Sequence, residues 1–596
     1  MRNTLFLSMF ALYSMSMQAQ FHGGSGTADD PYLVADGYDL ADIANYRTAF
    51  YKQTADIDLT EWINDNAPQL GWMPIGTKDA PFEGSYDGGN YTIRGAVINR
   101  PSMDYVGIFG YVKDNKNIIQ NIIVESPDII GGTYTGGIIG YSYCVVKDCQ
   151  ISSAKVKGNS YVGGICGRSS NKIENCQVMA LNILSSSTCC GGIAGYSDGS
   201  ISGSVAIVNL IKGENQVGGI AGTINNSIIN CYVFANVSSN GDAGGICGYG
   251  YYGHYNLYTG YYSSDGSYPT QALLQINNCF FDGEVRAKNS GGIIGKNYGA
   301  TKNTTWGSHN SWYKYRQEGL LTRSCLVRNA IIAAKECAGG IQAKDSVPSS
   351  EYNVENCVSL ATIVSSQTTD VAARIVNNTY GKNNKAYNQT ELYHSNKKVM
   401  TINDDAMNGT AYGEKTLMRS SSYTGLGWDF NTVWTIQEGE SYPYLQIQSD
   451  YPIVTEVSSS NKAIMRGTCK SNGILTIINN GTFVKTQILD GKWEADLGAV
   501  NSGDTLYVFA QSEGKMPSVV VKYVFNESSV NPGDDGTPGD ANGDGVVDTA
   551  DVTAIINYIL GKPSASFNKE NADVNGDGEI LIDDAVQTVQ MIMDAQ

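Results

Sequence analysis

Charged residues are scarce: Asp, Glu, Lys and Arg make up 16% of the 596 residues, and proline occurs only 14 times. Histidine is rarer still, with His22, His254, His309 and His394 alone. No H-E-x-x-H motif can be assembled from them, which argues against a zinc peptidase site. No C-x-x-C pair occurs, so the usual zinc-ribbon spacing is absent. No stretch reaches 18 apolar residues, the length that marks a membrane-spanning helix. Positive charge is also in short supply. The net charge of −18 argues against nucleic acid as a partner.

What is plentiful is glycine (68) and tyrosine (38), in a chain that is 42% hydrophobic. Such a composition suits a turn-rich β protein, and the length predicts several domains. At the N-terminus, Arg2, the apolar run Leu5 to Leu12 and the small residue Ala19 read as an export signal over residues 1–19, cleaved before Gln20. An uncleaved anchor is the rival reading, although the apolar run is short for a bilayer. No cysteine precedes Cys144, so a lipid-anchored lipoprotein is not expected. The chain is expected to be secreted or held at the cell surface.

Self-similarity dominates residues 106–375. The element G-G-I-x-G recurs at 136–140, 163–167, 191–195, 218–222, 244–248 and 291–295. Gly107-Ile108-Phe109-Gly110 opens the series and a decayed copy lies at Gly339-Gly340-Ile341. A second element, roughly I-x-N-C-x-V, places Cys149, Cys176, Cys231, Cys279, Cys325 and Cys357 at equivalent positions, with Ser204 filling the missing slot. One such unit cannot bury its own apolar face. Stacked units can, each strand pairing with its equivalent about 4.8 Å away in the next coil. The cysteines then form a small, buried apolar ladder rather than a metal site. A disulfide between neighbouring ladder positions is possible but not implied by the spacing.

These repeats resemble the GLUG type of bacterial surface proteins, which implies a parallel β-helix. Gly24-Ser25-Gly26-Thr27-Ala28-Asp29-Asp30-Pro31-Tyr32 and the Phe82 to Ile93 segment resemble the opening of such solenoids. The resemblance assigns 20–105 to an N-terminal cap and first coils, with a short capping helix over 38–50. It assigns 106–450 to repeat coils and a closing cap, whose aromatics Trp428, Phe430, Trp434, Tyr442 and Tyr444 would plug the last coil. Two intervals are longer than the rest: 47 residues from Gly244 to Gly291 and 48 from Gly291 to Gly339. Both extra segments fall between the glycine strand and the cysteine strand, hence on one face. They carry Tyr251, Tyr252, Tyr255, Tyr258, Tyr261 and Tyr262, then Trp306, Trp312, Tyr313 and Tyr315. Aromatics on polar loops suit a glycan or a surface protein as ligand. The plainer alternative is that these loops pack on each other.

Residues 452–526 change to alternating patterning, with strands at Gly473–Ile478, Val484–Leu489 and Leu506–Gln511. A small immunoglobulin-like β-sandwich acting as a spacer is expected, followed by a linker over 527–538.

The last segment, 539–596, holds 11 Asp and Glu against 2 Lys, a balance of −9. Asp540, Asn542, Asp544, Val546, Asp548 and Asp551 occupy positions 1, 3, 5, 7, 9 and 12 of a 12-residue calcium loop, the valine through its carbonyl. Asp573, Asn575, Asp577, Glu579 and Asp584 repeat the scheme, with Leu581 at position 9. Each loop leads into an apolar helix, Val552–Leu560 and Ala585–Met593. The duplication resembles type I dockerins. That implies two calcium ions and a cohesin-like partner, met through loop positions 10 and 11: Thr549 and Ala550, Ile582 and Asp583. The fold class expected for the whole is mainly β: a parallel β-helix, a β-sandwich and a small α-helical dockerin.

Dockerins often tether glycoside hydrolases, and some parallel β-helices degrade pectin. The polygalacturonase-like signatures N-T-D, G-H-G and R-I-K are absent. GLUG-type repeats also accompany immunoglobulin-cleaving metallopeptidases, whose metal motif is absent here too. A non-catalytic adhesin or binding protein is the expectation. A carbohydrate-binding component and a polysaccharide lyase or hydrolase of a dockerin-assembled complex are the alternatives.

Overall fold

The computed structural model describes residues 21–251, 275–298, 320–345, 354–368, 371–376, 381–457, 463–480, 482–525, 538–543, 546–564, 567–575 and 579–594. The chain forms two compact units, Met1–Ile447 and Gln448–Gln596.

In the first unit the apolar residues of each repeat fall on short strands that pair in parallel with the next repeat, giving three long ladders. On one face Val146, Ile173, Ile201, Ile228 and Ile276 lie in register. On the second, Ile151, Val178, Ala206, Val233, Phe281 and Val327 do. On the third, Phe109, Ile139, Cys166, Ala194, Ala221, Cys247 and Ile294 do. All of these are buried in one continuous core. Full burial of such a side chain contributes roughly 1.5–3 kcal/mol, and most of that stabilisation is shared between neighbouring coils.

The G-G-I-x-G element makes the corner before the third face. Its isoleucines hydrogen-bond backbone to backbone from coil to coil, Ile138 N–H to Ile165 O and so on to Ile341 N–H donating to Ile375 O at 2.8 Å. The second glycine sits against the next coil. A Cβ on Gly219 would lie 2.0 Å from the Gly245 carbonyl oxygen, and one on Gly164 2.3 Å from that of Gly192. No side chain fits there. The structure adds one coil that the sequence pattern hides: Gly339 pairs with Ala373, so Ala373-Arg374-Ile375 stands where earlier coils have Gly-Gly-Ile.

The cysteine element is a corner too. The residue before each ladder cysteine has a left-handed backbone: Asp148, Asn175, Asn230, Asn278, Ser324 and Asn356 have φ of 50–56°. Asparagine tolerates this region better than other side chains. Each thiol then donates to the carbonyl two residues back, from Cys325 to Arg323 O at 3.1 Å to Cys357 to Glu355 O at 3.4 Å. The Ser204 hydroxyl makes the same bond to Ser202 O at 3.0 Å. All thirteen cysteines are free thiols, twelve of them buried and Cys337 half-buried.

The core changes near its C-terminal end. Thr322, Gln342 and Ser359 replace apolar residues on the three inner ladders, opposite Ile276, Ile294 and Val327. They are at most 1% exposed. The Thr322 and Ser359 hydroxyls and both side-chain amide atoms of Gln342 have no hydrogen-bond partner among the described residues.

Two expectations for the ends need correction. The capping helix is short, Gly37–Asp42 plus a single tight turn Ile43–Asn45, rather than 38–50. Phe50–Gln53 is extended because it pairs with both Tyr32–Val34 and Ser85–Asp87. The closing aromatics form a cluster of their own, Trp428 stacked on Trp434 at 4.4 Å and against Tyr423 at 4.9 Å, rather than a continuation of the solenoid core. It is tied to the coils by Trp428 Nε1–H donating to Asn356 O at 2.8 Å.

In the second unit, strands Ile453–Val457, Ile464–Thr468 and Lys492–Asp496 form one antiparallel sheet. Thr482–Ile488, Gly473–Asn479, Thr505–Gln511 and Val521–Val524 form another. Met465, Leu475, Trp493, Val508 and Phe525 share one core between them. The three strands read from alternation lie where expected, within two residues.

Two outcomes follow for the solenoid. Gly219→Ala should destabilise it by roughly 1–3 kcal/mol, whereas Gly425→Ala, with nothing within 4 Å of the new Cβ, should change stability by less than about 0.5 kcal/mol; urea titration followed by tyrosine fluorescence checks both. Burial pushes the Cys144 and Cys247 thiols up to about 12. A thiol reagent at pH 8 should therefore label Cys337 first, and Cys144 and Cys247 only after denaturant is added, as mass spectrometry of the labelled peptides would show.

Candidate functional site

The C-terminal segment offers the clearest constellation of liganding groups. Helix Thr549–Ile559 begins at an Asp548 cap, whose side chain accepts the Ala550 N–H at 2.6 Å, with Asp551 closing a capping box. The second helix runs Ile582–Asp594. Both start three residues earlier than the apolar pattern suggests, because the last three loop positions already belong to the helix.

The two position-12 aspartates are fully buried. Asp551 Oδ1 accepts the Asn542 N–H at 2.9 Å and its Oδ2 the Asp548 N–H at 2.8 Å. In the second loop Asp584 takes the Val574 and Leu581 N–H groups, each at 2.9 Å, and the Asn575 N–H at 3.3 Å. Asp540, 5% exposed, accepts the Gly543 N–H at 2.9 Å. The two loops therefore wrap the same way, around a carboxylate fixed at the start of each helix.

A buried carboxylate is unfavourable unless its charge is compensated. Backbone N–H groups satisfy part of that need. The surrounding core supplies little: Ala541, Ala554, Ile555, Ala572 and Ala585, with Val552, Phe567 and Ile580 packed against them. Oxygen donors from Asp540, Asn542, Val546, Asp573, Asn575 and Glu579 stand in the same loops. An all-oxygen, carboxylate-rich set of this kind fits a calcium ion. Asp548 is engaged as helix cap. Asp544 and Asp577 lie outside the described residues.

Thr549, Ala550, Ile582 and Asp583 are all exposed at the helix starts. The second helix extends this surface with Val586, Val589 and Met593, which are 62%, 40% and 66% exposed. With Ile582 they recur at i, i+4, i+7 and i+11, a single apolar stripe turned to solvent. The equivalent positions of the first helix are Thr549, Thr553, Ile556 and Leu560. The stripe went unread in the sequence because helix periodicity alone does not say which face is covered.

On the solenoid, strand Cys247–Tyr251 leaves the third face and Gln275–Asn277 re-enters the first; Ile294–Tyr298 and Leu321–Arg323 flank the second long interval likewise. Both intervals open at the same edge, as expected. Tyr251 ends its strand. Tyr252, Tyr255, Tyr258, Tyr261, Tyr262, Trp306, Trp312, Tyr313 and Tyr315 lie outside the described residues. At the corner before the third face, in earlier coils, is a described aromatic group that sequence reading missed. Tyr105, Tyr134 and Tyr161 stack at 5.0 and 4.9 Å, beside Tyr141, Arg168 and Tyr196.

Two further groupings carry no chemistry. Gly195-Tyr196-Ser197-Asp198-Gly199 has the G-x-S-x-G spacing of a nucleophile elbow, also missed in the sequence. Ser197, however, is fully buried in a regular parallel strand and its hydroxyl donates to Gly199 O at 2.8 Å. His22 Nδ1 lies 2.6 Å from Asp39 Oδ2, close to Asp36. That contact raises the histidine pKa, and Asp36 is spent capping the helix at Gly37.

Comparison with known proteins gives four findings. Residues 538–590 are a dockerin type I domain. A candidate Gly-rich membrane protein of Evansella cellulosilytica is 32% identical over 151 residues, 24% of this chain and 17% of the relative. Halomucin of Haloquadratum walsbyi is 35% identical over 129 residues, 20% of this chain and 1% of the relative. The chain thus spans a small part of either relative's length. A solved structure described as a candidate immunoglobulin A1 protease from Bacteroides ovatus overlaps 72% of this chain and 95% of its own, at 15% identity and a TM-score of 0.32. Among the described residues no helix is long and apolar enough to cross a membrane.

Removing calcium should cost the C-terminal helices their order. In the full chain, chelator should lower helical ellipticity reversibly. Asp551→Ala and Asp584→Ala should each weaken calcium binding at their own loop by about tenfold or more, near 1.4 kcal/mol, read by isothermal titration.

Proposed function

We propose that the dockerin type I domain fastens this chain to a cohesin-bearing partner, and that the solenoid is the cargo so displayed: a non-catalytic adhesin or binding component working outside the cell. The exposed apolar stripe of helix Ile582–Asp594 carries the docking half of this reading. A solvent-facing row of Ile582, Val586, Val589 and Met593 has no use within so small a core, and it suits a protein partner's surface. We assign two calcium ions, one per loop, which fix the helix starts and hence the stripe. Because the first helix offers Thr549 and Thr553 where the second offers Ile582 and Val586, the second half is the stronger docking face.

The reading of the first unit as GLUG-type repeats, of 452–526 as an immunoglobulin-like spacer and of 1–19 as an export signal belongs to the same proposal. The non-catalytic assignment rests on the sequence, which holds too few histidines for the metallopeptidase site and none of the polygalacturonase-like motifs. A carbohydrate-binding role within a polysaccharide-degrading assembly is the second reading, favoured by the tyrosine row along the solenoid edge.

The test uses immobilised full-length chain and type I cohesin modules of the producing organism. Binding should require calcium and vanish with chelator. Val586→Asp with Met593→Asp should weaken it by about tenfold to a hundredfold, while Thr553→Asp does less. Failure of every cohesin to bind in calcium would overturn the docking role.

A further inference from the structure

The tyrosine row is a costly arrangement. Tyr105, Tyr134 and Tyr161 occupy the same corner in three successive coils, with φ of 61°, 61° and 56°. A left-handed backbone is unfavourable for so bulky a residue. The same corner is filled by Cys189 and Gln216 in the next two coils, so the fold does not demand tyrosine there. Elsewhere the solenoid fills left-handed corners mostly with asparagine, and otherwise with aspartate or serine. Three consecutive departures from that solution need a reason beyond folding.

Their geometry supplies one. The rings lie nearly parallel, 11° and 12° apart, one coil spacing between centroids. Tyr141 stacks against Tyr134 at 5.4 Å and Tyr143 at 4.8 Å. The Arg168 guanidinium lies over Tyr141 and Tyr196, 5.2 and 4.7 Å from their centres, and is paired with Asp198 at 2.7 Å. Ring stacking and this ion pair hold the surface rigid, so little freedom is lost when a ligand lands. Hydroxyls from Tyr141, Tyr143 and Ser170 are interleaved, 3.0 and 3.2 Å apart. All but Tyr141 among these tyrosines are partly exposed.

We propose that this edge, centred on Tyr105, Tyr134 and Tyr161, binds a neutral polysaccharide chain lying along the solenoid axis. A surface that repeats every coil, about 4.8 Å, presents equivalent sites to a ligand that also repeats. Each site joins an apolar ring to a hydroxyl, the combination that matches a sugar's carbon face and its hydroxyl edge. The Arg168–Asp198 pair is neutral in itself and the exposed Asp104 beside Tyr105 adds a negative charge, which selects against uronic acid or sulfated polymers. This rests on the reading of the solenoid as a displayed binding surface. It does not depend on the dockerin, whose calcium loops can be emptied without touching these coils.

Affinity electrophoresis of the full chain in gels containing xyloglucan, galactomannan, arabinoxylan or glycogen tests it. At least one should retard the protein, with and without chelator. The triple variant Tyr105→Asn, Tyr134→Asn, Tyr161→Asn relieves the strained corners, so it should keep its melting temperature. It should also lose retardation by at least about tenfold in apparent affinity. No retardation in any gel, or unchanged retardation of a folded triple variant, overturns the proposal. So does loss of a protein partner by the triple variant without any polysaccharide binding, which would make the edge a protein interface. Cohesin capture measured on the same samples reports separately on docking.

Discussion

The first unit depends on how closely one coil can lie on the next. Parallel strands from successive coils must hydrogen-bond across the whole perimeter, corners included. At the corner before the third face, the next coil's carbonyl oxygen stands about where a side-chain carbon would begin, 2.0 Å away at Gly219 and Gly292. Glycine is therefore fixed by the neighbouring coil rather than by its own turn. The isoleucine that follows inherits a fixed direction into the core, and the three inner ladders follow from that registration.

The cysteine corner obeys a different rule. There the chain turns through a left-handed residue, mostly asparagine, and the next side chain folds inward to close a bond with a carbonyl two residues back. A thiol does this while remaining apolar enough for the core, and Ser204 shows that a hydroxyl can take its place. The dockerin type I domain inverts the balance of forces. Its core is mostly alanine, and buried carboxylates take backbone N–H groups at the start of each helix. One chain thus combines a part stabilised by repetition with a part built around buried carboxylates.

Much of this was legible in the residues. Fixed spacing of G-G-I-x-G revealed the coils because the close approach forbids substitution, and the oxygen donors of the calcium loops sit at positions set by the ion's geometry. Where the constraint relaxes, legibility fails. Ala373-Arg374-Ile375 continues the ladder without glycine and so escaped detection. Thr322, Gln342 and Ser359 look like surface residues in the sequence, yet face inward because register, not polarity, places them. The tyrosine row was invisible because its members are about 27 residues apart and meet only through stacking. The loop tyrosines drew attention instead, being close together in the chain.

The inward-facing polar residues have a mechanical meaning. Thr322, Gln342 and Ser359 lie near the C-terminal end of the three ladders, without a hydrogen-bond partner among the described residues, and each weakens the local core by about 1–3 kcal/mol. That end of the ladders is thus the compliant one, softer than the isoleucine-lined coils that carry the tyrosine row.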